Sequence, residues 1–137
     1  MQLSEIQDSF DFFDSWEDKY RFVIDLGRDL PQLDTAAKED DNLIRGCQSQ
    51  VWLVAAYDHG SNEVTLAIDS DAHIVRGLIA IVLAAYNHHT PAEILGFDIE
   101  GLFDSLQLLQ HLSQTRGNGL RAMVAKIRGV AAQYANE

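Results

Sequence analysis

A chain of 137 residues is long enough for one domain with a real core, and its 47% hydrophobic share argues against disorder. The net charge of −11 argues against a nucleic-acid binder, which needs a basic footprint for the phosphate backbone. Met1-Gln2-Leu3-Ser4-Glu5 has neither a basic nor an apolar signal region, and the apolar run from Ile74 to Tyr86 is broken by Arg76 and shorter than the roughly 20 residues of a membrane span.

The charge is unevenly placed. Residues 1–42 hold twelve acids and four bases, residues 43–114 eight acids and two bases, and residues 115–137 one acid and four bases. The acidic N-terminal part reads either as a solvated surface or as a steering field for a basic protein partner.

Ser4-Glu5-Ile6-Gln7 has the form of a capping box, and Ile6, Phe10 and Phe13 follow at helical spacing. A second helix starts at Ser15, carries Tyr20, Val23 and Leu26 on one face, and is expected to stop at Gly27 and Pro31. The two helices form a hairpin. Residues 32–44 are polar and read as a surface loop, with a weak strand signal from Asn42 to Arg45. Val51 to Tyr57 and Glu63 to Asp69 have strand chemistry and flank the turn Asp58-His59-Gly60-Ser61-Asn62, which makes an antiparallel hairpin.

Ser70 or Asp71 is placed to cap a helix filled by Ile74, Val75, Leu78, Ile79, Val82 and Leu83, apolar on more than one side and so buried. Thr90-Pro91-Ala92-Glu93 is a capping box with proline at the first helical position, and Gly96 ends that helix. Residues 98–112 read as one or two short helical turns. The last helix carries Leu120, Met123, Val124, Ile127, Ala131 and Tyr134 on one face. The fold class is α+β: an N-terminal helical hairpin, a small antiparallel sheet packed against helices, and a helical C-terminal half, all in one domain over 1–137.

Cys47 is the lone cysteine. It can close no internal disulfide and cannot alone build a thiolate metal cage, and a free thiol suits a reducing cytoplasm. A lone cysteine is often a small buried hydrophobe. Cys47, however, follows Gly46 and precedes three polar residues, a loop setting that suits a nucleophile or a group carrier. Gly46 leaves approach to the thiol open and lets the backbone change shape. Arg45 adds a positive charge that favours thiolate. No histidine falls at metal-ligand spacing, so no metal site is expected: His59 lies in a turn, His73 in a first helical turn, and His88 and His89 are adjacent.

The segment Gly46-Cys47-Gln48-Ser49-Gln50-Val51-Trp52-Leu53 resembles the active-site segment of the SufE/CsdE family. The resemblance extends through Trp16-Glu17-Asp18-Lys19-Tyr20, Asp25-Leu26-Gly27, the junction Asp69 to Leu78, Thr90-Pro91, Gln110-His111-Leu112-Ser113, Arg116 and Gly119-Leu120. It implies a fold similar to the iron–sulfur scaffold proteins and a sulfur acceptor that activates a pyridoxal-phosphate cysteine desulfurase of the SufS or CsdA kind. Cys47 then takes persulfide sulfur and passes it to an iron–sulfur scaffold or another acceptor. The chain needs no cofactor of its own, the pyridoxal phosphate being the partner's. Arg45, Gly46, Gln48, Ser70, Asp71, His111 and Arg116 are the candidates for shaping the loop or the docking surface. The alternatives are a cysteine hydrolase pairing Cys47 with a histidine such as His111, and an interaction module with an inert thiol.

Overall fold

The computed structural model describes residues 2–45 and 49–135. Helix α1 spans Leu3–Phe12 and α2 spans Trp16–Arg28. The second begins as its sequence directs, with the Ser15 hydroxyl accepting from the Asp18 N–H. The first begins two residues earlier than the Ser4 signal implies: Gln2 is the cap, and Glu5 reaches back to its N–H. The hairpin closes through aromatic rings, with Phe10 and Phe13 both against Phe22 at 5.8 and 5.7 Å.

Strands β1 (Val51–Asp58) and β2 (Glu63–Ser70) pair antiparallel, from Val51 opposite Ser70 to Asp58 opposite Glu63. Val64, Leu66 and Ile68 point into the core in strict alternation, with Val51 and Leu53 beside them. Each edge gains one further contact: Leu43 bridges to Trp52, and His89 bridges to Val64. The weak strand signal at Asn42–Arg45 is thus a single bridge. The polar stretch before it holds two short 3₁₀ turns, Thr35–Ala37 and Asp40–Asn42.

Helix α3 (His73–Tyr86) is the centre of the molecule. Ile74, Leu78, Ile79, Ile81, Val82, Ala85 and Tyr86 are all buried. Each larger aliphatic side chain so buried contributes about 1.5–3 kcal/mol. Its backbone lies directly against that of α2: a Cβ on Gly77 would sit 2.0 Å from the Val23 carbonyl oxygen, and one on Gly27 would sit 2.7 Å from the Gly77 nitrogen. Gly27 therefore serves as a contact point in the last turn of α2, which ends at Arg28, between Gly27 and Pro31 as expected. The C-terminal half contains α4 (Pro91–Gly96), α5 (Ile99–Ser105), α6 (Leu108–His111) and the long α7 (Gln114–Ala135). Thr90 and Glu93 cap α4 reciprocally. Leu120, Met123, Val124, Ile127 and Ala131 bury one face of α7, and Tyr134 stacks on Tyr57 at 4.5 Å.

Candidate functional site

Three of the site residues expected from sequence, Gly46, Cys47 and Gln48, lie outside the described residues. The chain on either side of them is anchored to the sheet. On the N-terminal side, Leu43 bridges to Trp52 and the Ile44 N–H donates to the Val51 carbonyl at 2.8 Å. On the C-terminal side, the Gln50 N–H donates to Asp71 Oδ1 at 3.1 Å, and the Asp71 N–H donates to the Gln50 carbonyl at 3.4 Å. The β1–β2 ladder thus runs one step beyond Val51–Ser70, and the described residues on either side of the cysteine segment are held at the Val51 end of β1.

Asp71 and Ser70 do not cap α3 with their side chains. Ala72 is the cap residue and has no side-chain cap bond. The Ser70 hydroxyl accepts from the Ala72 N–H at 3.2 Å, which shapes the strand-to-helix turn, while Asp71 reaches across to Gln50. The reason lies one residue upstream. Asp69 is fully buried, and its carboxylate accepts from the Ser70 N–H at 2.8 Å and the Leu33 N–H at 3.0 Å. It also pairs with Arg76, and Lys38 Nζ lies 3.5 Å away. Arg76 in turn donates to the carbonyls of Gly27 (3.2 Å) and Leu30 (2.6 Å). One buried ion pair therefore joins the end of α2, the following loop, β2 and α3 under the base of the cysteine segment.

Burial alone would raise the Asp69 pKa. The Leu33 and Ser70 N–H groups, with Arg76 and Lys38, outweigh it and hold the carboxyl below its ordinary value. Lys38 also lies over the Trp52 ring, 5.4 Å from its centroid, and so ties the loop before the cysteine to β1.

Beside the C-terminal stem is a small apolar cavity of about 20 Å³, room for about one water molecule. Ser49 and Val51 line it from the stem, Val75 and Leu78 from α3, and Leu120 and Met123 from α7, with Thr115 and Arg116 at its α7 end. Ser113 caps that helix end by accepting from the Arg116 N–H at 3.2 Å. The cavity therefore combines apolar walls with the positive end of a long helix, where Arg116 is one of the lining residues.

Among the expected residues, the fold brings Arg116 to this cavity beside Ser49, and Ser70 and Asp71 to the base of the loop. Arg45 is exposed on the N-terminal stem. His111 is elsewhere: its ring stacks on Trp16 at 4.3 Å, its Nδ1 meets the Gln107 carbonyl at 2.9 Å, and it does not line the cavity. Sequence reading assigned no role to Asp69, Arg76 or Lys38. The first two stood in the matched junction Asp69 to Leu78, but a buried pair seven residues apart across a strand–helix turn leaves no periodic signal. Among the described residues no group of three or more histidine, cysteine or acidic side chains is placed to hold a metal ion. No helix among them is long and apolar enough to cross a membrane.

The sequence model of SufE, the Fe-S metabolism associated domain, matches residues 4–131. The chain belongs to the SufE family. That membership connects it to iron–sulfur metabolism. It is 45% identical over 131 residues to an uncharacterized SufE-like protein of Rhizobium meliloti (strain 1021), covering 94% of each chain. A second uncharacterized SufE-like protein, from Rhizobium etli, is 47% identical over 129 residues, covering 92% of this chain and 86% of the relative. The solution structure of a hypothetical protein from Thermus thermophilus has the same fold, with a TM-score of 0.77 over 98% of this chain and 96% of that one at 14% identity. The α+β fold expected from the pattern of helices and strands in the sequence is the fold observed.

Proposed function

We propose that this SufE-family chain accepts persulfide sulfur on Cys47 from a pyridoxal-phosphate cysteine desulfurase, speeds that enzyme by unloading it, and hands the sulfur on for iron–sulfur cluster assembly in the cytoplasm. The observation that carries the reading is the apolar cavity bordered by Ser49 and Arg116, beside the anchored residues that flank Gly46-Cys47-Gln48 in the sequence. Cys47 as thiolate attacks the outer sulfur of the donor persulfide. One S–S bond forms to Cys47, the donor's S–S bond breaks, the donor cysteine leaves as thiolate, and the outer sulfur keeps its proton. No electrons enter or leave the pair, so no external oxidant is needed.

Each neighbouring group has a role in that exchange. Arg45 and Arg116 favour the thiolate, and the first turn of α7 adds its partial positive charge. Val51, Val75, Leu78, Leu120 and Met123 offer a dry wall for a sulfur that water and stray thiols would otherwise consume. Gly46 lets the segment change shape when the partner binds, and Arg45 is exposed on the stem offered to it. Against a hydrolase, His111 has its ring stacked on Trp16 and its Nδ1 occupied by a backbone carbonyl. The test is desulfurase stimulation with Cys47→Ser. A folded serine variant that fails to stimulate supports the reading, and one that stimulates like the parent overturns it.

A further inference from the structure

Residues 32–44 lead from the end of α2 to the cysteine segment and hold four acids, Asp34, Glu39, Asp40 and Asp41, and one base, Lys38. The acids are exposed. Lys38 is turned inward, its side chain 31% exposed. Its ammonium lies 3.5 Å from Asp69 Oδ2 and 5.4 Å from the centre of the Trp52 ring. Asp69 and Trp52 face each other across the β1–β2 ladder, so one cation spans both strands. The two Asp69 oxygens have separate partners. Oδ1 serves the strand–helix turn, taking the Ser70 N–H and Arg76. Oδ2 serves the segment before the cysteine, taking the Leu33 N–H and Lys38. Between Leu33 and Leu43 the two 3₁₀ turns close on themselves, and the Asn42 amide donates to the Ala37 carbonyl at 2.8 Å. Among the described residues, Lys38 makes the polar contacts that fasten the middle of this segment to the sheet.

We propose that Lys38 is a positioning residue for sulfur transfer: held between Asp69 and Trp52, it fixes the N-terminal stem from which Cys47 is presented to the donor persulfide. The inference rests on the sulfur-acceptor reading. It goes beyond a structural tie because Asp69 is satisfied without Lys38. When the ammonium is removed, the buried carboxylate keeps two N–H groups and Arg76, so the fold retains its buried ion pair. A half-exposed pair and one cation–π contact add little to stability. What the ammonium controls is the path of the chain. Leu43 bridges to Trp52, and the Ile44 N–H donates to the Val51 carbonyl, so the stem runs toward Arg45 from a register set beside the same indole. Exchange between sulfurs depends on that register, since a displacement of about 1 Å at a reacting atom can cost up to about a hundredfold in rate.

The experiment follows sulfur loading of the full chain by a SufS-like cysteine desulfurase with cysteine, as a function of acceptor concentration, for Lys38→Met, Lys38→Arg and Cys47→Ser. Urea melts and amide hydrogen exchange are measured alongside. Lys38→Met removes the charge at similar length. It should lower the maximal loading rate about tenfold, with the half-saturating concentration within about twofold of the parent. Exchange at the Ile44 N–H should quicken, while exchange at the Asp71 N–H, on the other stem, stays as in the parent. Lys38→Arg keeps the charge and can stack on the indole, so it should restore most of the lost rate. A parent-like maximal rate in Lys38→Met, or unchanged exchange at Ile44, overturns the proposal while leaving Cys47 as acceptor. So does a Lys38→Arg chain as slow as Lys38→Met. A raised half-saturating concentration at unchanged maximal rate would make Lys38 a donor contact, and a melt far below the parent would make it a structural residue; either overturns the positioning role. Loading of Cys47→Ser at the parent rate would instead overturn the acceptor reading itself.

Discussion

Replacing Asp69 by Asn keeps the side-chain shape and removes one buried charge. Asp69 is fully buried, and the Arg76 side chain is only 13% exposed. In the variant the guanidinium keeps the carbonyls of Gly27 and Leu30 but loses its counter-charge. Removing one partner of a buried ion pair costs about 3–5 kcal/mol. The Asn carbonyl still accepts one N–H bond, so the loss should fall near the low end, about 3 kcal/mol. With a urea dependence of about 2 kcal/mol per molar, the unfolding midpoint should drop by about 1.5 M.

The pH dependence gives a second reading of the same pair. The folded Asp69 carboxyl titrates below its ordinary value of 3.8. Above that value both folded and unfolded forms are ionised and the stabilisation is fully present. As pH falls, the unfolded chain takes up the proton first, and the stabilisation is lost on the way down through the folded pKa. The parent should therefore lose its advantage over Asp69→Asn on acidification below about pH 4. Urea melts read by circular dichroism at neutral and acidic pH measure both effects. A loss below about 1 kcal/mol at neutral pH, the scale of an exposed pair, would refute the reasoning.

Gly77→Ala places a methyl 2.0 Å from the Val23 carbonyl oxygen, so it should cost at least about 2 kcal/mol in a urea melt by forcing α2 and α3 apart. Gly96→Ala meets nothing within 4 Å and should leave the melting temperature nearly unchanged. Asp71→Ala removes the acceptor for the Gln50 N–H; hydrogen exchange at Gln50 and alkylation of Cys47 should quicken, with a stability loss of only about 1 kcal/mol. Association with the desulfurase should slow as salt rises toward physiological strength, where screening shortens the reach of charge to about 8 Å, while alkylation of Cys47 by a neutral probe changes little. A salt-independent association rate would rule out steering by the acidic N-terminal region.

Local chemistry was readable from the chain; contacts between distant residues were not. Ser15, and Thr90 with Pro91 and Glu93, mark their helix starts because a cap acts within three residues. The alternation of Glu63 to Asp69 likewise specifies which strand face is buried. Gly27 and Pro31 do bracket the end of α2, but the second use of Gly27, as the point where α3 approaches, was not legible, because its neighbour Gly77 lies fifty positions away. Ser70 and Asp71 look like helix caps until Asp69, Gln50 and Ala72 are placed around them. The cysteine and its glycine stand out by composition and motif. The cavity beside Ser49 could not be read, since α3, β1 and α7 contribute its walls from three parts of the sequence.

Sulfur transfer to Cys47 is tested most directly by intact-mass spectrometry of the chain after incubation with a cognate desulfurase and cysteine. The expected result is a gain equal to one sulfur atom, mapped to the peptide containing Cys47, removed by a thiol reductant and absent from Cys47→Ser. A parent chain that gains no sulfur while the desulfurase itself is persulfidated, or a gain that persists in Cys47→Ser, would contradict it.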